Sequence, residues 1–270
     1  MSLAAIASRS FGRICALGLL AVCAALLLAP RLAAVDQKRD AKAEEIAHAM
    51  MQAMGGEKAW YAAHFVRFDF NVNMGEKQVA SRSHLWDKMT GRYRLEEKTK
   101  AGKSQVTLLN VNDRQGAVYL DGKKLEGAPA AKALKDAYGA HINDMYWLAM
   151  PWKWMDPGAN LKYMGPKTRD GETDDVVRLT FNHVGLTPGD RYDAFISNQS
   201  HLMTHWEYKL QSGQSGSWDW QYGDYNGVKL AKDHTSSDHK MSIAMGDVRV
   251  LDKVDDAYFT DPARMLAGLK

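Results

Sequence analysis

The last third of the chain constrains the fold most, because residues 176–181, 191–197, 201–210, 217–222 and 241–250 read as one strand after another. Within these runs the side chains alternate with period two: Val177, Leu179 and Phe181 against Arg178, Thr180 and Asn182, then Leu202, Trp206, Tyr208 and Leu210 against Met203, His205, Glu207 and Lys209. Tryptophan and tyrosine recur on one face of the pattern. A sheet that curls around an apolar interior or an apolar ligand needs such a face, and a flat sheet under helices does not. The expectation is a binder rather than a catalyst.

The same alternation is readable upstream. Residues 64–73 place Val66, Phe68, Phe70 and Val72 on one face and Arg67, Asp69 and Asn71 on the other, and further strands are expected at 78–87, 92–98, 105–111 and 117–121, with a last one starting at Leu161. Turn residues at Asn112–Asp113 and Asp121–Gly122 separate them. Strands spaced so evenly, without helices between them, must be antiparallel. Two helical stretches interrupt the series. The segment 43–54 carries Ile46, Ala49, Met50, Ala53 and Met54 at helical spacing and stops at Gly55–Gly56, while residues 130–138 and a stripe through Ile142, Met145, Tyr146 and Ala149 read as a helix pair ending at Pro151. The fold class expected is mainly β (α+β): an incomplete antiparallel barrel of about ten to eleven strands, its concave face covered by an N-terminal helix and a helix pair inserted mid-sequence.

Arg9 and Arg13 precede an apolar run over residues 14–29, with Ala33 and Ala34 beyond it. This is the layout of a secretory signal peptide over residues 1–34, with residues 35–270 as one mature domain in the periplasm. A retained anchor is the alternative, although the run is shorter than the about 20 residues a spanning helix needs. Leu20-Ala-Val-Cys23 is only weakly like a lipid-attachment box, since Val22 is bulky and the apolar run continues beyond the cysteine. Both cysteines, Cys15 and Cys23, lie in this segment, so the mature chain has no thiol chemistry. Of the 35 Lys and Arg, the three before residue 35 account for the whole formal excess of +3 over the 32 Asp and Glu. A neutral mature domain lacks the basic footprint of a nucleic-acid binder.

The segment Met145-Tyr-Trp-Leu-Ala-Met-Pro-Trp-Lys-Trp-Met155 is dense in aromatics and methionine. It either lines or gates a lipid-sized cavity or packs the helices onto the sheet. Together with the strand alternation it gives the candidate ligand-binding set: Phe68, Phe70, Trp86, Leu179, Phe181, Trp206 and Tyr208 from the sheet, and Tyr146, Trp147, Trp152 and Trp154 from the cover. Arg191 is a candidate for a polar headgroup, with an ordinary cross-strand ion pair as the alternative. The nine histidines do not make a metal site: His201 and His205 stand too far apart along a strand, and His234 and His239 with Asp233 and Asp238 read as a polar turn. No nucleophile elbow, zinc-helix motif or phosphate loop is present, so no catalytic residue and no cofactor is assigned. A hydrolase would have only scattered candidates such as Asp69, His205 and Glu207.

Four segments carry a resemblance to a known superfamily. They are Met54-Gly-Gly-Glu-Lys-Ala-Trp60; Asn143-Asp-Met-Tyr-Trp-Leu-Ala-Met-Pro151 with Asp156-Pro-Gly158; Val184-Gly-Leu-Thr-Pro-Gly-Asp-Arg-Tyr192; and Val254-Asp-Asp-Ala-Tyr-Phe259 before Pro262. Their order resembles the periplasmic lipoprotein-sorting fold of the LolA and LolB carriers, and more closely an uncharacterised secreted group of the same superfamily. The resemblance implies a half-barrel with an apolar concavity, which in the carriers holds lipoprotein acyl chains; the expected partners are a lipid or acylated ligand and a membrane or envelope protein, and the expected state is a monomer. One position departs from the carriers. In His84-Leu-Trp-Asp-Lys-Met89, Met89 stands where a lid-holding arginine of LolA would fall, so the carriers' gating is not implied. The alternative function is a structural or sensory envelope module that docks a protein, and an envelope hydrolase ranks below both.

Overall fold

The computed structural model describes residues 38–269. The expected signal peptide lies outside them. Thirteen strands form one antiparallel sheet. In chain order they are β1 Phe65–Met74, β2 Lys77–Asp87, β3 Arg92–Lys98, β4 Ser104–Asn110, β5 Gly116–Leu120, β6 Lys123–Lys124, β7 Ala159–Arg169, β8 Glu172–Phe181, β9 Arg191–Ser197, β10 Met203–Lys209, β11 Ser215–Tyr225, β12 Val228–Ser236 and β13 Met241–Leu251. The spatial order runs β6 to β1, then β13 back to β7, so the N- and C-terminal meanders join through the β1–β13 pair and β6 and β7 are left as edges. The sheet is not closed, as expected for an incomplete barrel.

Two strands exceed the sequence expectation. One is the short β6. The other is β12, where Val228, Leu230, Ala231, His234 and Ser236 are buried. Its inward side mixes apolar residues with a histidine and a serine, and the register shifts at Gln221/Tyr222 opposite it. The period-two signal is broken at both levels, which makes a polar turn the natural misreading of Asp233 to His239.

Helix α1, Ala41–Ala53, begins at Asp40, whose carboxylate accepts from the Ala43 amide at 2.8 Å and, through its other oxygen, from the Tyr163 amide of edge strand β7 at 2.7 Å. The cap that starts the helix therefore also fastens it to the sheet. Its end is fixed by Gly55 (φ 114°), where an added Cβ would meet the Gly227 carbonyl oxygen at 2.0 Å. Only glycine lets the two backbones meet there. Helix α2, Glu57–Ala62, follows.

The mid-sequence cover is a single helix, α3, Gly127–Ala149, extended by a 3-10 turn at Met150–Lys153. The expected helix pair is corrected on this point. Ala137, His141, Asp144, Met145 and Leu148 form one continuous buried stripe across the expected break, and Gly139, with nothing within 4 Å of a would-be Cβ, costs the helix only about 1 kcal/mol relative to alanine. The α-helical geometry breaks at Ala149 (φ −138°, ψ 20°), and Pro151 sits in the first positions of the 3-10 turn, where its missing N–H leaves no hydrogen bond unmade.

The inner face of the sheet, with α1 and the C-terminal half of α3, encloses the main core, which includes Met50, Phe68, Phe70, Leu148, Leu179 and Trp206. The other half of α3 lies over Tyr93, Leu95 and Leu109. On the outer face, Phe65 and Leu85 pack with Tyr258 and Phe259 of helix α4, Ala257–Thr260. Arg94, fully buried, holds this C-terminal segment by donating to the carbonyls of Tyr258, Asp261 and Pro262 and to Glu96.

Candidate functional site

The inner face under the C-terminal half of α3 is an aromatic basin. Alternation along β8 to β11 turns Leu179, Phe181, Tyr192, Trp206, Tyr208, Trp218, Trp220 and Tyr222 inward. Two successive helix residues reach into it. Trp147 stands edge-on to Trp206, Trp218 and His234, with ring centroids 4.8, 5.0 and 5.1 Å away, while Tyr146 lies 5.4 Å from Tyr192 and 6.2 Å from Trp206. Tyr146, Trp147, Phe181, Tyr208 and Tyr222 are only partly buried, so they form a rim, and Trp206 and Trp220 form the floor.

The polar atoms of this basin divide sharply. Tyr222 donates to the Met203 carbonyl at 2.9 Å and Tyr192 to Asp190 at 3.3 Å. In contrast, the indole N–H groups of Trp206 and Trp220 and the hydroxyl of Tyr146, and beside the basin the indole N–H of Trp86, are buried with no hydrogen-bond partner among the described residues. An unmet buried donor costs about 1–3 kcal/mol, and edge-on aromatic rings return only part of it. Burial also drives the Tyr146 phenol well above its ordinary pKa, so it stays a neutral donor. His234 is pushed down to about 3 by burial and is neutral at physiological pH. The basin is thus uncharged, aromatic and supplied with free donors.

All eleven candidate residues lie in this core or pack against it. They occupy different parts of it. Phe68 stacks on His84 at 4.2 Å, and Phe70 lies under the Arg82 guanidinium at 5.0 Å. Trp86 sits at the seam between the two inner clusters. Trp152 stacks on Trp60 at 5.5 Å and donates to the Lys229 carbonyl at 2.9 Å; Trp154 is fully buried with its N–H on the Met150 sulfur at 2.7 Å. These two side chains fasten the cover to the strands. Truncating Trp152 to alanine is expected to lower stability by about 3–5 kcal/mol, read as a shifted urea midpoint.

The structure adds residues that the sequence reading missed. Tyr192, Trp218, Trp220 and Tyr222 obey the same alternation and were legible by it; His234 was hidden by the missed strand. A second group has no sequence signal. Asp144, fully buried on α3, accepts two hydrogen bonds from Arg82 at 2.6 and 2.7 Å, lies 3.1 Å from Nε2 of His84, and accepts from Asn143. Nδ1 of His84 meets the Tyr93 hydroxyl at 2.6 Å. Despite its burial, the Asp144 carboxyl is held below its ordinary pKa by His84 and Arg82, while burial lowers that of His84. This cluster pins the middle of α3 to β2 and β3.

The hydrolase candidates do not converge. Asp69 pairs with Arg67 and accepts from Ser83, His205 pairs with Asp219, and no hydrogen bond or ion pair among the described residues joins either to Glu207. Nor do the described residues contain a group of three or more His, Cys, Asp or Glu able to hold a metal ion.

No protein-family model matches the chain, and no curated protein does. Among solved structures it is similar to a LolA superfamily protein from Nitrosomonas europaea, at 11% identity over 80% of this chain and 96% of that one, with a TM-score of 0.49. It is also similar to a DUF1329 family protein from Desulfovibrio piger, at 11% identity over 80% and 96%, TM-score 0.46. A third is an outer membrane lipoprotein-sorting protein domain from Vibrio parahaemolyticus, at 8% identity over 82% and 97%, TM-score 0.45. At these identities and TM-scores the likeness assigns no ligand, partner or activity to this chain.

Proposed function

We propose that this chain is a periplasmic binding or carrier protein for an amphipathic ligand, which it holds without covalent chemistry between α3 and strands β8 to β11. The observation that carries the reading is the set of unpaired donors in the aromatic basin. A core serving packing alone has no use for Trp206, Trp220 and Tyr146 where phenylalanine would bury the same surface without an unmet donor. A ligand with an apolar body and carbonyl or ether oxygens supplies what the basin lacks. Its apolar part gains about 0.8 kcal/mol per buried methylene, which offsets the loss of the contacts that the rim residue Trp147 makes with Trp206 and Trp218.

The test is mass spectrometry of organic extracts from protein purified without detergent, coupled to tryptophan fluorescence during titration with the amphiphile found or with a fluorescent fatty acid. Binding in the micromolar range, weakened about thirtyfold by Trp206→Phe and Trp220→Phe together, is expected from two hydrogen bonds of about 1 kcal/mol each. Equal affinity of wild type and double variant, or no amphiphile bound at all, overturns the reading.

A second reading, an envelope module that docks a protein, is favoured by one observation: the basin is filled by its own side chains. Two clefts among the described residues, one beside Thr180 and Arg191 and one beside Ile46 and Asp175, are lined by none of the basin aromatics. A binder whose interior is closed must open to load. A docking module need not, and it would return clean extracts.

A further inference from the structure

We infer that the outer face carries an anion site for a phosphate group, built by Arg191 and Lys209 and independent of the aromatic basin. Arg191 on β9 and Lys209 on β10 are directly opposed in the antiparallel register. Like charges so placed repel each other and weaken the sheet. Neither side chain has a carboxylate of the described residues within ion-pair distance. The neighbouring Asp193, which the sequence offers to Arg191, is taken by Arg178 in a two-pronged pair at 2.6 and 2.8 Å.

Arg191 is exceptional in this. Every other arginine among the described residues has a carboxylate partner, or in the case of Arg114 an aromatic one. Both cations border one cleft of about 470 Å³ with Thr180 and the turns at 188–190 and 210–213.

The walls of the cleft are tied together. Gln211 accepts from the Gly189 amide at 3.2 Å through its side chain and donates its own amide to Asp190 at 2.8 Å. A Cβ on Gly189 would stand 2.9 Å from Cβ of Gln211, so the two turns close on each other only with glycine there. Asp190, the one acid in the cleft, is buried and occupied: it accepts from Thr187 at 2.6 Å, from Tyr192 and from Gln211. It shapes the wall and leaves the two cations without a counter-ion. A guanidinium and an ammonium bordering one cleft suit an oxyanion with several oxygens, the chemistry of a phosphate group, either free or in a lipid headgroup.

The test titrates the purified protein, at low ionic strength, with inorganic phosphate, with soluble short-chain phosphatidylglycerol, and with vesicles of phosphatidylcholine with or without phosphatidylglycerol, following backbone amide shifts or sedimentation. The variants are Arg191→Gln, Lys209→Gln and, as a control, Lys232→Gln on β12. Shifts confined to residues 187–191 and 209–213, weakened about tenfold in Arg191→Gln and unchanged in Lys232→Gln, are expected for a charge-assisted bond. Saturation by inorganic phosphate assigns a free phosphate. Binding only to the lipid forms assigns a headgroup, and either supports the site. Without any anion, Arg191→Gln should melt no lower than wild type, because it relieves a repulsion. Phosphate affinity equal in all three variants, or shifts spread over the surface lysines, overturns the proposal. Failure of the amphiphile titration leaves it untouched, since no residue of the cleft contributes to the basin floor.

Discussion

Replacing Arg82 with methionine is expected to cost about 3–5 kcal/mol at neutral pH, the range for removing one partner of a buried ion pair. Asp144 is fully buried on α3, and Arg82 supplies two of its hydrogen bonds. With the guanidinium gone, Asn143 is the hydrogen-bond donor left to it, with Nε2 of His84 3.1 Å away. The dependence on pH then takes a distinctive sign. In the wild type the Asp144 carboxyl lies below its ordinary value, and the stability it contributes is lost as pH falls. In Arg82→Met, burial acts unopposed by Arg82 and raises the proton affinity of the Asp144–His84 pair above that of the unfolded chain. The variant's deficit should therefore shrink as pH falls from 7 toward 4. Urea unfolding at several pH values measures this, and a constant deficit would show that Asp144 keeps its charge by another route. The double variant Arg82→Met with Asp144→Leu should recover most of the loss, because an apolar pair of similar volume needs no counter-ion.

That cluster also shows where reading the sequence stops. The alternation of Phe68, Trp206 and Tyr208 marks one face of a sheet because period two is a local property of the strand. The curled antiparallel class and the inward aromatics follow from it. Asp144 carries no such mark. Its partners Arg82 and His84 are some sixty residues away, brought to it only by the docking of α3. The continuity of α3 through Gly139 is likewise decided by burial of Ala137, His141 and Asp144 rather than by local propensity. The solitary state of Arg191 is invisible for the opposite reason. Asp193 stands two residues away on the same strand, and only the register with β8 shows that Arg178 has claimed it.

Acid is expected to open this protein well above the pH at which its carboxylates titrate. His141 and His234 are buried, and burial lowers each from 6.5 to about 3; His84 is lowered as well. For His141 the nearby His84 and Lys153 act in the same direction and Asp144 against it, whereas for His234 only the Trp147 backbone opposes burial. Above pH 6.5 these imidazoles are neutral in both states and cost nothing. Below it the unfolded chain binds protons that the folded chain refuses, so stability falls from about pH 6.5 until about pH 3. At pH 5 the loss is about 2 kcal/mol for each of the two, a large part of what a domain of this kind has in reserve. Urea midpoints at pH 7 and pH 5 should differ accordingly, and His234→Gln, which cannot take up the proton, should lose about one proton's worth of the slope. An unchanged slope in that variant would mean that His234 already shares a proton in the folded state. The position of these groups gives the effect a direction. His141 on α3 packs edge-on against Trp86 and Tyr93, and His234 contacts Trp147 of the same helix, so protonation loads its cost onto the contact between α3 and the sheet, and that contact should yield before the sheet does.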